Sequence, residues 1–403
     1  MSALPTFSPL PMTTAPHQRA PLAHLSAVES RARPRRLPPP PAAAPVTIAT
    51  WLYAEPEAEQ SLYPRVTGEG GSATDQFQAV YWRCAVASLA TSRRTNAGAQ
   101  HVFYTNLDAL PTVDGHDLGA LFAAWNVEVV RLPYSFLPPD GYYGQWRSQF
   151  YVFDILRHLA GRLADGDVAV LLDSDVVWAR PADRLVAATR RAGALTYDVG
   201  LEPDLPEHGL TLLEMGALYG EVLGALGIDR PPPEAAPPYT GGEIVAATGA
   251  TLRRLDALAG PLWAEMLRRH AAGLPRFYEE SHALSFLYYA LDILDGTANP
   301  FIRRIWTTLP ESRLGAGDGG SDARPTDLAL TLWHVPAEKR TGFRHLFEEV
   351  MRPRSTFWAL APGDAFRRHV GSFLGIPNPC LGALARGLAA GDGSNLLPAP
   401  LPG

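Results

Sequence analysis

The chain has 403 residues, 46% of them hydrophobic and 19% charged, and its 41 acidic against 35 basic residues give a net charge of -6. That apolar content is enough to bury a sizeable core and excludes a chain disordered throughout. Apart from arginines near the N-terminus, no basic run is long enough to track a phosphate backbone, so no nucleic-acid partner is expected. Cys84 and Cys380 lie far apart and form no CxxC or Cys/His cluster, which speaks against a disulfide framework or a zinc site and suits a cytoplasmic protein. No signal-peptide pattern opens the chain, and no stretch reaches the roughly 18 apolar residues of a transmembrane segment.

Residues 1–45 are rich in Pro, Ala, Ser and Arg, end in RARPRRLPPPPAAAP, and carry no apolar period, so a disordered leader is expected there. VTIATWLY (46–53) reads as a buried strand, DQFQAVYWRCAVASLATS (75–92) as a helix, and HVFYTN (101–106) as a strand. LGALFAAWN (118–126) reads as a helix leading into VEVVRL. WRSQFYVFDILRHLAGRLADG follows with helical spacing and precedes the apolar strand VAVLL (168–172), and a later apolar run, DLALTLW, reads as a further strand. This βαβ succession predicts one α/β domain over 46–375, a mostly parallel sheet flanked by helices, with a Gly/Pro/Ala-rich, disordered tail over 376–403.

Directly after VAVLL come Asp173, Ser174 and Asp175, and then the apolar run Val-Val-Trp. An unpaired buried carboxylate is costly, so two of them inside an apolar run must meet water, donors or a cation. In an open α/β sheet ligands bind beyond the carboxyl ends of the strands, where these residues fall. Residues i and i+2 of an extended segment project to one side, so both carboxylates can reach one hard divalent ion.

A helix, a buried strand and an Asp-x-Asp followed by apolar residues resemble the metal motif of GT-A-fold, Rossmann-like glycosyltransferases, enzymes that use nucleotide-sugar donors. The resemblance covers about 46–350 and implies Mn²⁺ or Mg²⁺ on Asp173 and Asp175, with Asp173 reaching the metal directly, through water, or binding the ribose instead. TLWHVPAEKR (331–340) is similar to a late segment of the glycogenin-like retaining members, in which a histidine completes the metal shell and a lysine binds the donor diphosphate. His334 and Lys339 stand at those positions. The family's usual spacing of six would select Arg340, and Ala337 replaces its usual glycine, so both cations are candidates. Lys339 is the chain's single lysine, a compact ammonium in a composition that otherwise uses arginine.

FYEESHALSFLYYAL (277–291) opens a helix with Glu279, Glu280 and His282, where acidic residues also suit the helix dipole. Its Glu-Ser-His resembles the Asp-Glu-Ser-His of retaining α-1,3 galactosyl- and N-acetylgalactosaminyltransferases, which implies Glu280, with Glu279 beside it, beneath the anomeric carbon and His282 on the acceptor side. PPYTGGEIVAATG (237–249) resembles the acceptor-pocket segment of such enzymes through Gly242 and Glu243, while Gly241 and Gly242 equally suit a turn. The same resemblance puts Thr50 and Tyr53 near the base and ribose and Arg147 near the donor phosphates. It implies a retaining transferase using UDP rather than GDP as carrier, with the acceptor open. Two other readings compete. DSDVVW approximates the Asp-x-Asp-x-Val of haloacid-dehalogenase-type phosphatases, although that fold carries the motif on its first strand and Gly363-Asp364 lacks the second acid of its later cluster. A catalytically silent nucleotide-sugar-binding module is the other.

Overall fold

β-Branched and aliphatic runs become strands wherever both faces can be covered, and the order of those runs sets the architecture. The computed structural model describes residues 45–63, 70–307 and 321–377. The expected leader, save Pro45, and the expected tail beyond Pro377 lie outside the described residues. The first half of the chain runs Val46–Leu52 (β1), Asp75–Thr95 (α1), Gln100–Thr105 (β2), Thr112–Val113 (β3), His116–Asp117 (β4), Leu118–Ala124 (α2), Val127–Arg131 (β5), Tyr151–Arg162 (α3) and Val168–Leu172 (β6). Then come Val176–Trp178 (β7), Asp183–Ala192 (α4), Ala194–Leu195 (β8), Leu212–Ala225 (α5), Ile244–Thr248 (β9), Gly249–Ala271 (α6) and Glu280–Ala290 (α7). The last elements are Ile302–Arg304 (β10), Leu332–His334 (β11), Gly342–Val350 (α8), Thr356–Ala359 (α9) and Asp364–Phe373 (α10).

The main sheet has the order β5-β2-β1-β6-β9-β8. β5, β2, β1 and β6 are parallel, while β9 runs antiparallel to both β6 and β8. The mixed α/β fold with a mostly parallel, helix-covered sheet is therefore the expected one. β6 shows why its sequence is continuously apolar: Ala169 and Leu171 face the core built by α3, α5, α6 and α7, whereas Val168, Val170 and Leu172 face a second core with Trp178, Leu185 and Leu332. α1 starts on Thr74, whose hydroxyl accepts from Phe77 N at 3.2 Å, and packs against β1, β7 and α8. No helix among the described residues is long and apolar enough to cross a membrane.

A smaller sheet, β10-β11-β7, positions the site. The chain leaves the main sheet at Leu172 and enters the small one at Val176, so Asp173, Ser174 and Asp175 form the step between them. In the antiparallel β7/β11 pair His334 lies opposite Val176, and Val335 N donates to the Asp175 carbonyl at 3.2 Å. On the other side of β11, Arg304 lies opposite His334. Residues far apart in sequence thus meet by strand register. The expected strand DLALTLW is shorter than its apolar pattern suggests. Pro325–Ala329 form a 3-10 turn, because Pro325 removes a ladder donor and the Asp327 carboxylate accepts from Arg324 N at 2.7 Å, leaving only Leu332–His334 extended.

A candidate metal and active site

Asp173, Asp175 and His334 each offer one ligand atom, and these atoms all lie within 4.8 Å of one another. Asp175 is 2% and His334 5% exposed. Asp173 N donates to Glu243 O at 3.2 Å, which ties the end of β6 to the approach to β9. Asp175 Oδ2 sits 3.1 Å from His334 Nε2 and 2.9 Å from Lys339 Nζ. The other ring nitrogen, His334 Nδ1, is 3.1 Å from Glu243 Oε1, and the Arg304 guanidinium grips Glu243 at 2.9 and 3.0 Å.

The charges follow from these neighbours. Burial alone would raise the Asp175 carboxyl, but the Lys339 ammonium and His334 hold it well below the usual carboxylate range. Burial opposes a charge on His334, yet Asp175 and Glu243 push it up to about 9. Glu243 is held at about 2 against its burial by Arg304 and His334. Half-buried Asp173 is pushed up to about 6 by its loss of solvent and then by the charge of Asp175. Two carboxylates and one imidazole make a mixed oxygen and nitrogen donor set that fits a divalent ion such as Mn²⁺ or Mg²⁺.

Asp173, Asp175 and Lys339 line one cavity with Glu280, and Trp51, Tyr53, Tyr81 and Trp146 contribute aromatic walls. The Lys339 ammonium lies over the Tyr81 ring, 5.2 Å from its centroid. Glu55, buried at the same wall, binds three segments together. Its carboxylate accepts from Ser61 N at 3.0 Å, Ser72 Oγ at 2.5 Å, Tyr63 OH at 3.0 Å and Ser148 N at 3.2 Å. Trp146 stands in the left-handed region at φ 42°, unusual for a bulky residue, with its ring edge-on to His208 at 4.6 Å.

Glu280 opens α7 as its first residue and Glu279 is the N-cap. The two acids face different surroundings. Glu280 Oε1 accepts from Ser281 Oγ at 3.2 Å, and Oε2 is buried with no hydrogen-bond partner. Burial, then the charge of Asp173, push Glu280 up to about 8. Glu279 accepts from the Tyr239 hydroxyl and lies 3.3 Å from His208 Nε2, and burial and then Glu280 push it well above the usual range.

The raised Glu280 carboxyl carries a stability prediction for the metal-free protein. Below about pH 4.5 it is protonated both folded and unfolded. From there to about pH 8 the unfolded chain ionises while the folded one keeps its proton, so folding loses up to about 1.4 kcal/mol per pH unit at this residue, and above about 8 the loss levels off. Glu280→Gln lacks that term, so its stability is expected to gain on wild type as pH rises from about 5 to about 8. Urea unfolding at both pH values checks this; an unchanged difference between the two proteins would refute it.

Other predicted residues are placed as follows. Tyr53 lines the cavity and donates to Glu59 Oε2 at 2.5 Å. Thr50 is one strand position away from the cavity wall, buried with Oγ1 unpartnered. Arg147, expected near the donor phosphates, does not line the cavity as its neighbours Trp146 and Ser148 do: it donates to Pro138 O at 2.7 Å and pairs with Asp140 at 3.0 Å. Arg340 is exposed and does not line the cavity, whereas Lys339 does. His282 is fully buried behind Glu279, with Nε2 3.2 Å from Glu207 O, and burial, then His208, hold the ring neutral by lowering it to about 3. Gly242 backs onto Glu280, where an added Cβ would stand 2.5 Å from Oε1, and Glu243 faces His334 rather than open space. Gly242 and Glu243 do form a turn before β9, as the glycine pair suggests, but neither glycine has a positive φ, and both positions also need the clearance that a missing Cβ gives. Arg304, Glu55, Tyr81 and Trp146 carry no local sequence signal of their places at the site.

No protein-family model and no curated protein matches the chain. Among solved structures it is similar to the apo bifunctional glycosyltransferase WbbM, with a TM-score of 0.40 and 12% identity, covering 80% of this chain and 51% of that one. It is also similar to apo mouse xyloside xylosyltransferase 1, with a TM-score of 0.37, 9% identity and coverage of 73% and 98%. A third is the galactosyltransferase LgtC in complex with donor and acceptor sugar analogs, with a TM-score of 0.38, 11% identity and coverage of 84% and 99%. The chain spans about half the length of WbbM.

Proposed function

We propose that residues 46–375 form a GT-A-type, metal-dependent glycosyltransferase that moves a sugar from a nucleoside diphosphate sugar, UDP rather than GDP as carrier, to an acceptor with retention. The observation that carries the reading is the convergence of Asp173, Asp175 and His334 within 4.8 Å beside a cavity that Lys339 and Glu280 also line. A divalent ion held by these three side chains, Mn²⁺ favoured by the imidazole, supplies Lewis-acid neutralisation of the leaving diphosphate. Lys339 donates its ammonium to a diphosphate oxygen. Glu280 turns an unpartnered carboxylate oxygen toward the anomeric centre, where positive charge grows as the glycosidic bond breaks. Trp51 and Tyr53 flank the base and ribose, and the aromatic walls exclude water from the reacting atoms. The acceptor approaches past Gly242 and the proline-rich 230–239 segment. A cytoplasmic location belongs to this reading, supported by two cysteines that lie far apart in the chain.

A thermal-shift panel of nucleoside diphosphates, each with and without Mn²⁺, tests the reading. UDP is expected to stabilise the protein only with Mn²⁺ present, by about 2.7 kcal/mol at a hundredfold excess over its Kd. No stabilisation by any nucleotide counts against it. A beryllofluoride adduct on Asp173 would instead support the phosphatase reading, and metal-dependent UDP binding without donor hydrolysis or transfer the silent one.

A further inference from the structure

His334 has one nitrogen for the candidate metal site and one that faces away from it. The nitrogen facing away, Nδ1, is 3.1 Å from Glu243 Oε1. Glu243 is 1% exposed and spends both carboxylate oxygens locally: Oε1 on His334 and on Arg304 Nε at 2.9 Å, Oε2 on the other arm of the same guanidinium at 3.0 Å. Arg304 is itself fixed, since its backbone N donates to Tyr197 OH at 2.9 Å and its strand position lies opposite His334. Gly241 makes room for this arrangement. A Cβ there would stand 1.9 Å from Glu243 Oε2, so the carboxylate can lie back against the chain only where no side chain exists. Burying such an ion pair is a poor way to stabilise a fold, because desolvation offsets most of the attraction.

We propose that Arg304 and Glu243 are positioning residues that lock the His334 ring with its Nδ1–H on Glu243 and its Nε2 presented to the divalent ion shared with Asp173 and Asp175. The inference rests on the metal-binding part of the function proposed above and adds a layer behind the ligands. A carboxylate on the remote nitrogen fixes ring orientation and raises the ligand's basicity. The planar arginine fork fixes the carboxylate in turn, which a single ammonium cannot do.

Mn²⁺ affinity of the full chain, measured by calorimetry at one pH, and the ¹⁴N coupling of the imidazole to bound Mn²⁺, measured by pulsed electron paramagnetic resonance, test this. In Glu243→Gln an amide oxygen in the place of Oε1 can still accept from His334 and Arg304 Nε, but the negative charge is gone and the amide NH₂ in the place of Oε2 must face the other arm of the guanidinium, a donor. Glu243→Gln and Arg304→Lys are each expected to weaken Mn²⁺ binding by about 10- to 100-fold and to reduce the ¹⁴N coupling. Because the two residues act in series, the double variant is expected to lose little more than the worse single one. Gly241→Ala, which leaves every ion-pair partner chemically intact, is expected to weaken binding in the same direction and serves if a charge variant does not fold. Affinity within about twofold of wild type in the folded variants, with the coupling intact, overturns the proposal whatever their melting temperatures. Wild-type protein that binds Mn²⁺ but no nucleoside diphosphate ends the transferase reading alone; wild-type protein that binds no Mn²⁺ overturns both.

Discussion

Asp175→Asn is expected to abolish Mn²⁺-dependent nucleotide binding while the protein stays folded. Asp175 Oδ2 is the point on which His334 Nε2 and Lys339 Nζ converge at 3.1 and 2.9 Å, so this carboxylate is the most strongly anionic group at the cavity. Asparagine keeps its shape but removes a charged ligand, and its amide NH₂ must face a metal, an ammonium or an imidazole. The loss should exceed the roughly 10- to 100-fold that changes behind a metal ligand typically cost. Removing one partner of a buried ion pair can destabilise by about 3–5 kcal/mol, but two features soften that here. The His334 proton is held mainly by Asp175, with Glu243 assisting, so the ring can shed it once Asp175 is gone, and the Lys339 side chain is 21% exposed and can turn to water. Circular dichroism establishes folding, and the nucleotide panel repeated on the variant establishes binding. Unaltered Mn²⁺-dependent stabilisation by UDP would remove Asp175 from the site.

The parts of this site that the sequence discloses are those whose cost is local. Asp173 and Asp175 stand out because two carboxylates directly beyond a fully buried strand need a compensating partner, whatever the rest of the chain does. β1, α1, β2, α2, β5, α3 and β6 fall where apolar periodicity puts them, since each element buries its own face. Arg304 does not stand out, and Glu243 does so only for a resemblance to an acceptor segment: their fork spans 61 residues, the Glu243–His334 contact spans 91, and neither residue type nor spacing hints at either pairing. Strand register, not motif, brings them together. Arg147 shows the opposite case, a local position whose partners the sequence does not disclose. Its position before the metal strand looks available to a phosphate, but the carbonyl of Pro138 satisfies it from a loop nine residues upstream. The Gly241-Gly242 pair reads as a turn, and a turn is there at Gly242-Glu243, but each glycine also makes space for a carboxylate, Glu243 on one side and Glu280 on the other. That role depends on side chains arriving from elsewhere in the fold.

Glu280→Gln is expected to leave UDP and Mn²⁺ binding within a few fold and to lower sugar transfer by about 100- to 1,000-fold or more, the scale at which deleting one preorganised charge-stabilising group acts. The carboxamide is nearly isosteric and its oxygen can still accept from Ser281 Oγ, as Glu280 Oε1 does at 3.2 Å. What disappears is a group that can become anionic once a divalent cation offsets the Asp173 charge that helps hold its proton in the metal-free protein, with Oε2, which has no protein partner, available to a cationic anomeric centre. An effect on kcat with donor binding kept is the mark of an interaction made in the transition state. Glu279→Gln provides the comparison. Its carboxylate is already occupied by Tyr239 and His208, so the substitution is expected to alter stability more than the chemical step. Both variants should be assayed for donor hydrolysis, acceptor transfer and UDP-dependent thermal shift on the same preparation. Full transfer by Glu280→Gln together with an inactive Glu279→Gln would move the catalytic carboxylate to the N-cap position, and with it the face of the helix that meets the sugar.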